Sequence, residues 1–271
     1  MLHVRHIDSL DLPELEPYRT MKRTVEHEEK GLFVAEGQKV VRRLLESRLT
    51  VLSLLLPESW LKELMPLLDR RAEEIHAYVA PKAELEKMIG YTMYQGVLAL
   101  GKIPRMPSLE EVLEASPRPY LFAAVDGLSN AENLGVLVRN CSAFGVQALL
   151  VGETSSSPYL RRAVRSSMGT VFELTVVEVG HLAGTLSRLR ERGVRSIAAH
   201  PHTDRRTISQ ADFKGDSCIV FGSEGLGLSA EVLAACDDAV LIPMHATVDS
   251  LNVGSASAVF LYEARRQRDQ M

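Results

Sequence analysis

Cysteine is scarce in this chain: Cys141, Cys218 and Cys236 are the three in 271 residues. They are too far apart for the Cys-x-x-Cys pairs of a zinc site or a redox motif, and each lies in an apolar segment. They read as buried thiols of a reducing compartment. Long apolar runs are lacking as well. The best candidate, "VLSLLLPESWL", is broken by Pro57 and Glu58 and is too short to span a bilayer. No basic opening segment leads into an apolar stretch, so the reading is of a soluble protein made without export and acting in the cytoplasm. Excess positive charge is missing too. The formal net charge of −4 weighs against a simple claim of nucleic-acid binding and leaves a local basic patch as the route to it. Neither a Gly-x-Gly-x-x-Gly turn nor a phosphate loop with Lys-Ser or Lys-Thr occurs, which weighs against a nicotinamide or nucleotide enzyme. Repeats and low-complexity tracts are likewise missing.

What is present is a chain with 46% apolar residues, long enough for two domains. In the first part, "FVAEGQKVVRRLLESRL" has helical apolar spacing from Phe33 onward, and "TVLSLLLP" reads as a buried strand. "RAEEIHAYVA" predicts a strand, "PKAELEKMIG" a short helix and "QGVLALGKIP" a closing strand. The proline-rich, acidic stretch at 105–118 is the expected linker between a domain over 1–104 and another over 119–271.

Beyond the linker the alternation becomes regular: "YLFAAVD", a helix over Leu134 to Phe144, "ALLVG", a helix around Leu160 to Met168, and "VFELTVVEV". Then come the helix "LAGTLSRLRERG", the strands "VRSIAAH" and "SCIVFG", the helix "SAEVLAAC", the strand "AVLIPM" and a long last helix. Continuous apolar strands alternating with helices predict a parallel α/β sheet covered on both faces. Ligands of such sheets sit beyond the carboxyl ends of the strands, so the loops after Val125, Phe221 and Pro243 matter most.

Three loops concentrate polar and small residues there. "VDGLSNAENLGVLVRNCSAFG" carries Asn133 and, about one and a half turns later, Arg139. "IVFGSEGLGLS" sets three glycines around Glu224. "MHATVDSLNVGSASAVFLYEA" carries Ser250 and Asn252, then small residues from Gly254 to Ala258 where aliphatic ones would bury more area. Taken singly, each has a plainer reading: Asn133, Ser250 and Asn252 as helix caps, the glycines as turn residues, the small run as tight helix packing. The basic clusters, Arg161, Arg162 and Arg165 and, near the N-terminus, Lys22, Arg23, Lys39, Arg42 and Arg43, read alone as solvated faces. His200 and His202 form a His-x-His pair with no third ligand in view, and no metal is expected. "EARRQRDQ" reads as a solvated helix end.

Together, "NLGVLVRN", "GSEGLGLS" and "IPM…VDSLNVGSASA", in this order, resemble the three motifs of the SpoU (TrmH-type) RNA ribose methyltransferases. "RRAVRSSMGTVFELTV" resembles that family's Arg-x-Ser-x-Gly stretch. "FVAEGQKVVRRLLES" and "YQGVLAL" are similar to the small α/β domain, like ribosomal protein L30e, with which many members bind RNA. The resemblance implies methyl transfer from S-adenosylmethionine to a ribose 2′-hydroxyl of structured RNA, on a parallel sheet (the SPOUT fold) whose C-terminal segment passes through a trefoil knot. It implies a homodimer, main-chain and apolar contact to the donor at Gly222, Ile242 and Leu251, and a catalytic set of Asn133, Arg139, Glu224, Ser250 and Asn252. Arg161, Arg162 and Arg165 then become RNA contacts, and Gly254 to Ala258 would let the donor approach the backbone.

A guanidinium is a poor base, so Arg139 is expected to hold phosphate and stabilise charge on the 2′-oxygen, with Glu224 or water as base. Ribosomal RNA is preferred over transfer RNA because of the added first domain. Motif one departs from the family's usual wording, with "NAENLG" in place of aspartate and proline and "RNC" after the arginine, as does motif three, with Gly254 in place of serine. These departures bear on the RNA target and remove no proposed functional group. A non-catalytic RNA-binding protein on the same scaffold is the rival of a different class.

Overall fold

The computed structural model describes residues 1–9, 11–21, 23–90, 96–203, 206–245 and 247–270. Lys22 of the basic cluster and Tyr94 and Gln95 of "YQGVLAL" lie outside them. The chain forms two compact units, one of Met1–Arg105 with Tyr159–Glu173 and one of Met106–Pro158 with Leu174–Met271.

The first unit is built on five strands, β1 (Leu2–His6), β2 (Leu32–Glu36), β3 (Val51–Leu56), β4 (Ile75–Val79) and β5 (Leu98–Lys102), in the order β1-β4-β3-β5-β2. The first three in that order run parallel, and β5 is antiparallel to both of its neighbours. Short helices α1 (Glu16–Arg19) and α2 (Thr24–Glu29) precede β2. The helices α3 (Gln38–Glu46), α4 (Glu58–Leu68) and α5 (Lys82–Ile89) connect the later strands. The helical spacing from Phe33 is corrected here: Phe33 to Glu36 are strand, and the helix begins at Gln38. The break is Gly37, whose φ of 97° no side-chain-bearing residue adopts readily. Helix α3 then buries Val40, Val41, Leu44 and Leu45 on one face.

Residues 159–173, read from sequence as part of the second domain, pack with the first unit. Their helix α8 (Arg161–Ser166) presents Arg161 to Glu36, a carboxylate only 4% exposed, and Arg165 stands 3.7 Å from the same group. Arg43 donates to the Met168 carbonyl at 2.9 Å. The Phe33 ring lies over Gly101, where a β-carbon would come within 2.5 Å of it, and meets Tyr159 and Phe172 at 5.6 and 5.4 Å between centroids. Removing Arg161 leaves the buried Glu36 carboxylate to the longer, more exposed contact with Arg165. Arg161→Ala is therefore expected to destabilise this unit by about 3 kcal/mol, read as a lower midpoint of its unfolding transition in urea. Two further cations of the N-terminal cluster are paired at the surface, Arg23 with Glu26 and Arg42 with Glu63, both at 3.2 Å.

The second unit opens with helix α6 (Leu109–Ala115), which Ser108 and Glu111 close at its start in a reciprocal capping box. Its seven strands are β6 (Leu121–Val125), β7 (Ala148–Val151), β8 (Thr175–Glu178), β9 (Arg195–Ala199), β10 (Arg206–Thr207), β11 (Ser217–Phe221) and β12 (Asp238–Leu241). All pair in parallel, in the order β10-β12-β9-β11-β6-β7-β8. The central strands are buried along their whole length, as the unbroken apolar runs require. Helices α7 (Ala131–Ala143), α9 (Leu182–Glu191), α10 (Ala230–Ala235) and α11 (Val253–Arg268) complete the unit. The expected strand "VFELTVVEV" is shorter than its apolar run, because Thr170–Phe172 form a 3-10 turn and pairing starts at Thr175.

The C-terminal end is not merely a solvated helix end. Arg268 donates to the carbonyls of Phe213, Pro119, Tyr120 and Gly215 at 2.8–3.0 Å, and buried Gln267 accepts from the Phe213 N–H at 2.9 Å. These bonds tie the last turn of α11 to carbonyls at the foot of the sheet. All three cysteines are buried, and burial pushes each thiol up, away from the reactive thiolate.

Candidate active site

Strand order places the loops that follow β9, β11 and β12 side by side at the carboxyl edge of the second unit's sheet. Together with the start of α11 they enclose a cleft of about 200 Å³, with Gly222, Ile242 and Leu251 in its wall and Glu224 and Ser250 at its polar positions. Phe221, Val240 and Phe260 form its apolar floor.

The loop after β11 is a tight hairpin. Ser223 and Gly227 exchange backbone bonds of 2.9 and 3.0 Å, and Gly227 takes a φ of 70°. Gly222 lies against the far side of this hairpin: a β-carbon there would stand 2.2 Å from the Gly227 carbonyl carbon and 2.4 Å from its oxygen. Backbone thus meets backbone in the cleft wall, which is why glycine is needed. The hairpin's tip holds Glu224 and a Leu226 that is 94% exposed. Its exit is held by buried Asp126 at the end of β6, which accepts the Ser229 N–H at 2.7 Å. Ser229 in turn caps α10.

Motifs one and three meet beside the cleft. Asn130, rather than Asn133, caps α7, accepting the N–H groups of Glu132 and Asn133 at 2.9 and 3.3 Å. That leaves the Asn133 side chain available to accept from the Asn252 amide at 3.1 Å. Asn252 is itself the cap of α11 and accepts the Gly254 N–H at 2.9 Å, so one side chain closes the helix and joins the two motifs. Asn140 completes the junction, donating to the Gly254 carbonyl at 2.7 Å and to Ser257 Oγ at 2.9 Å. The sequence reading missed Asn130, Asn140 and Asp126. Asn130 stands two residues before an acidic first turn, and this capping signal could have identified it.

The small residues of α11 have a different use from the one expected. A β-carbon at Gly254 would meet Val136 Cγ1 of α7 at 2.6 Å, and Ser257 is fully buried. They allow α7 and α11 to pack closely. Of the run, Ala256 faces the cleft.

Arg139 is exposed on α7, and it is not among the described residues that line the cleft. Val136, three residues earlier on the same helix face, is 37% exposed. Of the three arginines expected at RNA, Arg161 is engaged with Glu36, while Arg162 and Arg165 are exposed. His200 and His202 both line the cleft. Burial, then the neighbouring His202, holds His200 below the ordinary imidazole range. Among the described residues no group of His, Cys, Asp and Glu is arranged to hold a metal ion, and no helix is long and apolar enough to cross a membrane.

Comparison with known proteins agrees with this geometry. Residues 120–262 match the SpoU rRNA Methylase family. An uncharacterized tRNA/rRNA methyltransferase of Mycobacterium tuberculosis is 32% identical, over 98% of this chain and 93% of its own length. The 23S rRNA (guanosine-2′-O-)-methyltransferase RlmB of Shewanella oneidensis is 34% identical over 70% of this chain and 78% of its own. In fold, the crystal structure of the SpoU methyltransferase AviRb from Streptomyces viridochromogenes, in complex with AdoMet, superposes with a TM-score of 0.81. It covers 95% of this chain and 98% of AviRb at 22% identity. A parallel sheet with its polar loops gathered at one edge and a family match over that same region lead to one conclusion: the chain belongs to the SpoU rRNA Methylase family and is an RNA methyltransferase.

Proposed function

We propose that the protein methylates a ribose 2′-hydroxyl of structured RNA, ribosomal RNA in preference to transfer RNA, with S-adenosylmethionine as donor and as a cytoplasmic homodimer. The observation that carries this reading is the convergence of all three motifs. Asn252 bonds Asn133 at 3.1 Å beside a cleft walled by Gly222, Ile242 and Leu251. The cleft suits the donor. An adenosine needs an apolar slot with main-chain polar groups at its edge, and Gly222 lets backbone form that wall where a β-carbon would fill it. The bound donor supplies an electrophilic methyl group on a sulfonium.

The chain's own residues position and polarise. Ser250 and Glu224 are polar groups in the cleft lining, and Asn133 and Asn252 brace one another at its rim. Arg139 supplies a fixed positive charge for the adjacent phosphate and for the oxyanion developing at the 2′-oxygen. Glu224 or a water molecule accepts the proton. Arg162 and Arg165 contact RNA phosphate, and the first unit adds substrate affinity. The trefoil knot of the C-terminal segment belongs to the same proposal.

Dimerisation has its own support. Val136 on α7 and Val259 and Tyr262 on α11 are 37, 38 and 57% exposed, an apolar stripe on two helices that pack together. Arg139 is exposed on the same helix as Val136, so a partner docked there would receive it at its own cleft. Sedimentation at micromolar concentration is expected to give a dimer, and Tyr262→Asp a monomer with little activity. A fully active native monomer would contradict the shared site.

The decisive experiment incubates the protein with labelled S-adenosylmethionine and total RNA and maps the modified nucleotide. Label at a ribose of ribosomal RNA is the expected result. Donor binding without transfer to any RNA would favour the non-catalytic rival.

A further inference from the structure

Two imidazoles in the cleft have no part in the transfer described above. His200 and His202 follow β9 and meet edge to face, with ring centroids 6.1 Å apart, in the same cleft as Gly222, Glu224 and Leu251. The loop is held in register with the sheet, because the His200 N–H donates to the Val240 carbonyl at 3.0 Å. Neighbouring elements carry other charges. Glu224 follows β11, Arg206 of β10 pairs with Asp238 of β12 at 3.3 Å, and His245 and Asp249 lie in the loop after β12. The Arg206–Asp238 pair is neutral as a unit, and His245 is bonded to Thr247 Oγ1 at 3.2 Å. Within the cleft itself, Glu224 and the two histidines are the ionisable side chains among the described residues.

We propose that His200 and His202 make the cleft selective for charge at the ligand's sulfur: with both rings neutral it accepts the sulfonium donor, and with a ring protonated it favours the demethylated product over the donor. This rests on the donor reading given above.

The chemistry is direct. S-adenosylmethionine carries a sulfonium, an ammonium and a carboxylate, one net positive charge in all. S-adenosylhomocysteine has a neutral thioether and no net charge. At an effective dielectric of about 20, usual near a protein surface, an imidazolium about 12 Å from a sulfonium costs about tenfold in affinity and a closer one more, and the thioether escapes that cost. Burial, then the neighbouring His202, favours the neutral form of His200 and moves its protonation to lower pH. Product inhibition should therefore deepen on acidification even where the donor still binds.

Calorimetric titration of the full-length protein with donor, product and sinefungin, whose ammonium replaces the sulfonium, tests this without turnover. Between about pH 8 and about pH 5.5 the donor-to-product affinity ratio is expected to fall at least about tenfold. Sinefungin should follow the donor. In H200N/H202N the ratio should stay flat, which separates the histidines from Glu224. Should that variant fold poorly, H202N alone, altering an exposed ring and lifting the charge that holds His200 down, is expected to move the fall to higher pH. A constant ratio in the native protein, or an unchanged pH dependence in both variants, overturns the proposal. Failure of all three ligands to bind at about pH 8 would instead overturn the donor reading, and this proposal with it.

Discussion

Replacing Arg139 with alanine is expected to lower methyl transfer to RNA by about 10²–10³-fold, the usual cost of removing one group that stabilises developing negative charge. Binding of S-adenosylmethionine should stay at the native level, since Arg139 is exposed on α7 and does not line the cleft of its own chain. Arg139→Lys keeps the charge and loses the bidentate fork, so an intermediate rate is expected. A near-native rate for the alanine variant would remove Arg139 from any role in transfer. If the guanidinium serves the partner's cleft, dimers of one Arg139→Ala chain and one Gly222→Val chain should recover about half the native rate, because one of their two sites is intact. An arginine acting within its own chain would leave both sites of that mixed dimer inactive.

Gly222→Ala is expected to be the most damaging single change in the cleft wall. The added β-carbon would fall 2.2 Å from the Gly227 carbonyl carbon and 2.4 Å from the Leu228 nitrogen. Both are backbone atoms of a hairpin closed by two hydrogen bonds, so no side-chain rotation relieves the clash. The hairpin must move, at a cost of about 1–3 kcal/mol by analogy with overpacked cores, and the wall moves with it. Donor affinity should fall at least tenfold, alongside a lower melting temperature. Gly225→Ala, where a β-carbon meets nothing within 4 Å, is the matched control and should change stability by less than about 0.5 kcal/mol. Equal losses in both variants would sink the steric account.

Several features of this arrangement were legible in the residues. Strands β6, β7 and β11 are buried throughout and read as unbroken apolar runs, so a parallel sheet followed from pattern alone. The motifs named Asn133 and Asn252, which bond each other, and Gly222, Ile242 and Leu251, which line one cleft. Less was legible where one pattern served two ends. Phe33 and Val34 continue the apolar spacing of α3 although they belong to β2, because period counting does not register the turn that Gly37 makes between them. Gly254 read as room for a ligand, yet its nearest neighbour is Val136.

The sequence by itself determined the elements: which stretches are apolar enough to be buried strands, which residues can cap a helix, and where backbone must pass without a side chain. Tertiary structure decided what those elements face. It set Asn252 against Asn133 across 119 positions and turned two loop histidines into the cleft. It also joined residues 159–173 to the first unit through Glu36. The physical reason is that periodicity records that a face is buried and not which face covers it. The partner is chosen by strand order, and strand order is a long-range property that no local window of residues contains.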